Sequence, residues 1–143
     1  MIVAIDFGIT NTDVALSNKS QYKFFSIPSK NANESFIDEI ISLIDIDITE
    51  ISQIVVTGGK SNELNESFKG VNLTKISETD AIGYGTKEIY KIENEPFITL
   101  SCGTGTACIH HQDGQFSYIG GIAVGGGTIS GLSKAILDSS SLE

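Results

Sequence analysis

Glycine placement constrains this chain more than any other feature of its sequence. Twelve of the 15 glycines among 143 residues gather at Gly58-Gly59, Gly83 and Gly85, Gly103 and Gly105, Gly120-Gly121, Gly125-Gly126-Gly127 and Gly131. Every group but the second closely follows an apolar stretch that reads as a strand. Glycine at a strand end admits positive φ and lets a ligand approach the backbone. One such pair is ordinary turn chemistry. Four strand-following groups in one chain point to a sheet rim that faces a ligand.

The apolar pattern supplies the sheet. Ile2–Ile5 is a continuous β-branched run, suited to a strand buried on both faces. Asp13–Leu16 and Tyr22–Ile27 read as two more strands around a Ser17-Asn18-Lys19-Ser20 turn, which makes an opening meander. Asn33–Ile44 carries Phe36, Ile37, Ile40, Ile41 and Ile44 at helical spacing, with Asn33 as N-cap. Ile54–Val56 is a buried strand, Ser61–Phe68 a short helix and Val71–Ile76 a strand. Thr79–Tyr90 is a helix weakened by Gly83 and Gly85. Phe97–Leu100 is a strand, Ala107–His110 and Gln115–Ile119 form a hairpin around Asp113-Gly114, and Thr128 caps a helix running to Leu137. The order βββαβαβαβββα predicts an α/β domain with a mixed sheet. No internal repeat or linker interrupts it, so residues 1–143 are expected to form a single domain. The final SSSLE reads as a frayed end or a cloning remnant.

Charge excludes several function classes. Eighteen acids against nine bases, all of them lysine, give a net charge of −9. Such a field repels nucleic acid and anionic membranes. No apolar run reaches the length of a membrane span, and MIVAIDFGIT lacks the basic start of a signal peptide. Cys102 and Cys108 make neither a metal pattern nor a disulfide framework, so a reducing cytoplasm is the expected compartment. Any phosphate bound here must be held by backbone N–H groups and a metal ion.

Three segments suit that task. In Asp6-x-Gly8-x-Thr10-x-Thr12-Asp13, a carboxylate ends a buried strand and calls for a compensating cation such as hydrated Mg²⁺. Gly8 allows close approach, and the Thr10 and Thr12 hydroxyls can donate to phosphate oxygens. Gly103, Thr104, Gly105 and Thr106 form a small-residue turn whose successive N–H groups can make an anion nest. Gly125, Gly126 and Gly127 open a helix whose N-terminus favours an anion. Glu78, between a strand and a helix at the expected rim of the sheet, is the candidate base for a substrate hydroxyl; Asp80 suits a capping role. Other features carry less. His110 and His111 are adjacent on a strand and face opposite ways, with at least one expected in solvent. Cys102 is expected to be a buried or half-buried small residue, and Ile44–Ile48 a helix end and loop.

IVAIDFGITNTDVAL resembles the first phosphate motif of the actin, sugar-kinase and heat-shock-chaperone superfamily. VVTGG (55–59), Glu78-Thr79-Asp80-Ala81, LSCGTGTACIHHQDGQ (100–115) and IGGIAVGGGTISGL (119–132) resemble, in order and spacing, the amino-terminal half of type II pantothenate kinases. The resemblance implies a ribonuclease H-like lobe with a mixed five-stranded sheet flanked by helices plus a β-hairpin, the second lobe lying outside this chain. It implies ATP and Mg²⁺ as cofactors and transfer of the γ-phosphate to pantothenate. Asp6 would be the metal and phosphate aspartate, Glu78 the base, and Gly103–Thr106 with Gly125–Gly127 the ATP contacts. Gly58, Gly59 and Tyr118 would lie toward the small-molecule substrate. A second lobe or partner chain would complete the site, with a homodimer as one arrangement. Three positions depart from the family: Ile9 stands for a second glycine, Asp13 for a lysine, and Tyr118 for an arginine. The Thr-Asn-Thr-Asp version also resembles the hydantoinase and oxoprolinase branch, so an ATP-dependent enzyme of that kind is an alternative. A non-catalytic nucleotide-binding module is another.

Overall fold

The computed structural model describes residues 1–18 and 21–137. Of the turn predicted at Ser17-Asn18-Lys19-Ser20, the first two residues belong to a strand and Lys19-Ser20 lie outside the described residues, as does the SSSLE end. The chain forms two compact units, Met1–Glu78 and Thr79–Glu143.

The first unit opens with β1 (Ile2–Phe7), β2 (Asn11–Asn18) and β3 (Gln21–Pro28), followed by α1 (Glu34–Leu43), β4 (Gln53–Thr57), β5 (Ser67–Phe68) and β6 (Val71–Lys75). They make a six-stranded mixed sheet in the order β3-β2-β1-β4-β6-β5. β1 pairs antiparallel with β2 and parallel with β4, and β4 pairs parallel with β6. The predicted five strands are all present; the sixth, β5, takes the last two residues of the helix expected over Ser61–Phe68. Only Ser61–Glu63 there takes a 3₁₀ turn. Lys69 (φ 47°) and Gly70 (φ 83°) then make the two-residue turn that folds β5 back on β6, because two left-handed central residues match strand twist.

α1 forms where the apolar spacing and the cap agree. The Asn33 side chain accepts from the Phe36 N–H at 2.9 Å, meeting one of the free donors of the first turn. The helix buries Phe36, Ile37, Ile40 and Ile41 against Val3, Ile5, Phe7, Val14, Leu16, Ile54, Val56 and Leu73. Each such side chain contributes roughly 1.5–3 kcal/mol of apolar burial. The alternation on β1 places Val3, Ile5 and Phe7 in this core and turns Asp6 to the opposite face.

The second unit contains α2 (Glu78–Tyr90, whose first residue closes the first unit), β7 (Phe97–Cys102), β8 (Thr106–Gln112), β9 (Gln115–Ile122) and α3 (Gly126–Leu137). β7-β8-β9 is a three-stranded antiparallel meander, larger than the predicted hairpin, and Asp113 (φ 52°) and Gly114 (φ 77°) make its expected tight turn. Sequence showed no repeat, yet after α2 this unit runs strand, three-residue glycine turn, strand, strand, helix, the order in which the first unit begins. Gly83 does not merely weaken α2. A Cβ there would collide with the Phe116 ring, and Tyr84 meets that ring edge-on at 4.8 Å. His111 is the buried member of the His110-His111 pair: its Nδ1 lies 3.1 Å from the Glu95 carbonyl, between the rings of Phe97 (4.8 Å) and Phe116 (4.9 Å). A carbonyl only accepts, so Nδ1 carries the proton. Cys102 is exposed, against expectation, because β7 alternates Phe97, Thr99 and Ser101 inward with Ile98, Leu100 and Cys102 outward.

Candidate functional site

In the first unit the site is built at the ends of β1 and β4. Asp6 is the penultimate residue of β1, with Asp13 opposite it on β2 and Thr57 beside it on β4. The chain leaves β4 through Gly58 at φ +92°, a conformation that disfavours side chains. A Cβ on Gly58 would stand 2.5 Å from the Phe7 carbonyl and 2.9 Å from Asp6 Oδ1. Glycine therefore lets the β4 exit pass directly over the Asp6 carboxylate. Gly59 follows, exposed. Glu78, also exposed, is the first residue of α2. Burial, then the negative charges of Glu78 and Asp13, raise the Asp6 carboxyl above the usual carboxylate range.

The turn Gly8-Ile9-Thr10 links β1 to β2. Thr12 is fully buried, so its hydroxyl is not directed outward to a phosphate as expected. Ser29 Oγ donates to the Gly8 carbonyl, and the Ser29 N–H donates to the Thr10 carbonyl at 3.1 Å. With its proton so used, Ser29 Oγ accepts from Thr12 Oγ1 at 3.0 Å. Thr12 and Ser29 thus lock the turn from beneath. Thr12 falls inward because strand alternation places it with Val14 and Leu16 on the core face. Sequence reasoning missed Ser29, whose only signal was a lone serine after the Pro28 strand end.

In the second unit the glycine segments close on one another. A Cβ on buried Gly125 would sit 2.6 Å from the Gly105 carbonyl and 2.7 Å from that of Gly103, so two backbone segments meet where only glycine fits. Gly103 N–H donates to the Gly105 carbonyl at 2.8 Å. The first-turn N–H groups of Gly127 and Thr128 donate to the carbonyls of Gly103 (3.3 Å) and Thr104 (3.2 Å). Thr128 Oγ1 lies 2.7 Å from the Thr104 carbonyl and 2.8 Å from that of Ala123. It fastens the loop instead of capping α3, which begins two residues earlier at Gly126. These two helix donors are occupied, so an anion reaches them only by displacing the loop carbonyls. Thr106 Oγ1 donates to the Val124 carbonyl at 2.9 Å. Tyr118, on β9, is exposed, with its hydroxyl against Gly121.

The donor set fits a hydrated hard cation. Among the described residues, no group of three or more acids, histidines or cysteines is close enough to cage a metal. A cation beside Asp6 would keep most of its waters, as Mg²⁺ does, and would offset the mutual repulsion of Asp6, Asp13 and Glu78. No helix among the described residues is long and apolar enough to cross a membrane.

No family model matches the chain. It is 34% identical over 140 residues to a type II pantothenate kinase of Bacillus anthracis, covering 94% of this chain and 48% of that protein. It is 29% identical over 136 residues to a type II pantothenate kinase of Staphylococcus aureus strain USA300, with 92% and 48% covered. The resemblance carried by the motifs therefore extends along nearly the whole chain, and the chain spans about half the length of these curated relatives. Among solved structures, it is similar to the activator of 2-hydroxyisocaproyl-CoA dehydratase from Clostridium difficile with bound ADPNP. That match has a TM-score of 0.65 and 17% identity, with 96% of this chain and 52% of that one covered. A glucokinase of the ROK family from Streptomyces griseus, in complex with glucose and AMPPNP, gives a TM-score of 0.57 at 12% identity, with 86% and 48% covered. The chain shares its fold with these proteins.

Proposed function

We propose that this chain supplies the phosphate-handling half of an ATP-dependent small-molecule kinase, with pantothenate as the acceptor. The observation that carries this reading is the Asp6 carboxylate at the strand rim, approached closely by the Gly58 backbone and within electrostatic range of Glu78. The similarity to type II pantothenate kinases supports the choice of acceptor. In this reading residues 1–143 correspond to the amino-terminal half of such a kinase, and a further lobe or a partner chain completes the cleft.

Asp6 would hold a water-clad Mg²⁺, and such an ion would supply neutralising charge for the transferring phosphoryl group. The Gly8-Ile9-Thr10 turn approaches the phosphates with its backbone, held in shape by Thr12 and Ser29. Gly103–Thr106 and Gly125–Gly127 contact the phosphates once their mutual carbonyl bonds open. Glu78 takes the proton of the acceptor hydroxyl as its oxygen bonds to the γ-phosphorus and the bond to ADP breaks. Gly58, Gly59 and Tyr118 line the acceptor side. Because the chain has no arginine, these residues themselves supply no bidentate guanidinium clamp for the acceptor carboxylate.

The test is pantothenate-dependent ADP release from Mg-ATP, with Glu78→Gln as control. Saturable release by the parent, lost by at least about 100-fold in the variant while nucleotide binding persists, is the expected result. A variant that turns over normally refutes the base assignment. ATP turnover indifferent to pantothenate refutes the acceptor.

A further inference from the structure

Two groups beside Asp6 have no part in the phosphate transfer described above. Asp13 lies directly across the β1–β2 ladder from Asp6, and Thr57 lies beside Asp6 across the β1–β4 ladder. Paired residues project to the same face of a sheet, so all three stand opposite the core face of Val3, Ile5 and Phe7. Like charges set directly across a ladder repel. The charged groups that raise the Asp6 carboxyl, Glu78 and Asp13, are both acids. Three lysines of the same unit are engaged elsewhere: Lys30 with Glu39, Lys69 with Asp38, and Lys75 with the Asn62 carbonyl. Independently, Thr57 Oγ1 is buried with no hydrogen-bond partner. A buried hydroxyl in that state has an unmet bond, and next to Asp6 it suits a metal-bound water or a phosphate oxygen.

We propose that Asp13 makes nucleotide binding by this chain conditional on a divalent cation, so that a polyphosphate is accepted only as its cation complex. The inference rests on the phosphate-binding reading of the β1 rim. A metal-free polyphosphate would bring several negative charges against the three acids Asp6, Asp13 and Glu78. The cation complex arrives with lower charge, and its water shell offers Thr57 the partner it lacks.

The experiment measures equilibrium binding of a non-hydrolysable ATP analogue by titration calorimetry at fixed ionic strength, in excess Mg²⁺ and in EDTA. The chain, Asp13→Asn and Asp13→Lys are compared. Asp13 is exposed, and thermal melts confirm that the variants fold. Affinity of the parent should fall by about 100-fold or more in EDTA. The ratio should shrink in Asp13→Asn and shrink by about tenfold or more in Asp13→Lys, since reversing a charge a few ångströms away is worth at least that much. Equal binding by the parent in Mg²⁺ and EDTA overturns the inference and leaves the nucleotide reading intact. A ratio unchanged in both variants removes Asp13 from the role. No binding by the parent even in Mg²⁺ refutes the phosphate-binding reading itself.

Discussion

Asp6 shows how a functional residue can oppose the stability of its own fold. Its carboxyl is raised by burial and by the charges of Glu78 and Asp13, so the folded chain binds its proton more tightly than the unfolded chain. The stabilising contribution of that proton is therefore complete below the ordinary aspartate value of about 4. It is lost as pH rises through the higher folded value. Asp6→Asn removes the charge, and we expect it to abolish phosphoryl transfer yet raise stability at neutral pH. Because the residue keeps considerable solvent contact, the gain should be small, on the order of 0.5 kcal/mol. Urea unfolding of parent and variant at several pH values checks this: the curves should converge in acid and separate as pH rises. A gain that is largest in acid would contradict the sign of the effect. Thr12 makes the complementary point, since a hydroxyl that looks free for a ligand in sequence is buried and holds the turn through Ser29.

Among the elements, α2 carries the clearest contest of effects. Replacing Gly83 by alanine within a helix favours the helix by about 1 kcal/mol. Against that stands the Phe116 ring, which the new methyl would overlap, and overpacking of this kind costs about 1–3 kcal/mol. Gly83→Ala should therefore lower the melting temperature, and Gly83→Ala with Phe116→Leu should recover part of the loss. A more stable single variant would show that α2 can move away from the sheet. At α1 only one term operates. Asn33→Ala removes the acceptor for the Phe36 N–H and should cost about 1 kcal/mol, read from denaturant midpoints. The α1 cap was legible in sequence because capping is local. The β5–β6 hairpin was not, because a two-residue strand has no periodicity to read and its Lys69-Gly70 turn lies inside a stretch that also suits a helix.

For the molecule as a whole, burial is divided unequally. Among the described residues, all the buried apolar side chains except Ile109 belong to Met1–Glu78. In the second unit Ile98, Leu100, Ile122, Leu132 and Ile136 are exposed, and α3 buries none of its residues. Local stability follows buried apolar contact, so hydrogen exchange should be slowest in β1, β4 and β6 and markedly faster in β7–β9 and α3. Uniform protection along the chain would contradict this division. Sequence by itself determined the strands of the meander, the α1 cap, the Asp113-Gly114 turn and the strand-end glycines, since periodicity, capping and turn chemistry act over a few neighbouring residues. Only the tertiary structure decided that Asp13 faces Asp6, that Gly58 passes over the Asp6 carboxylate, that Thr12 points inward and that the α3 donors meet the Gly103-Thr104 carbonyls. Those relations depend on strand register and on segments distant in the chain coming together, which no local pattern encodes.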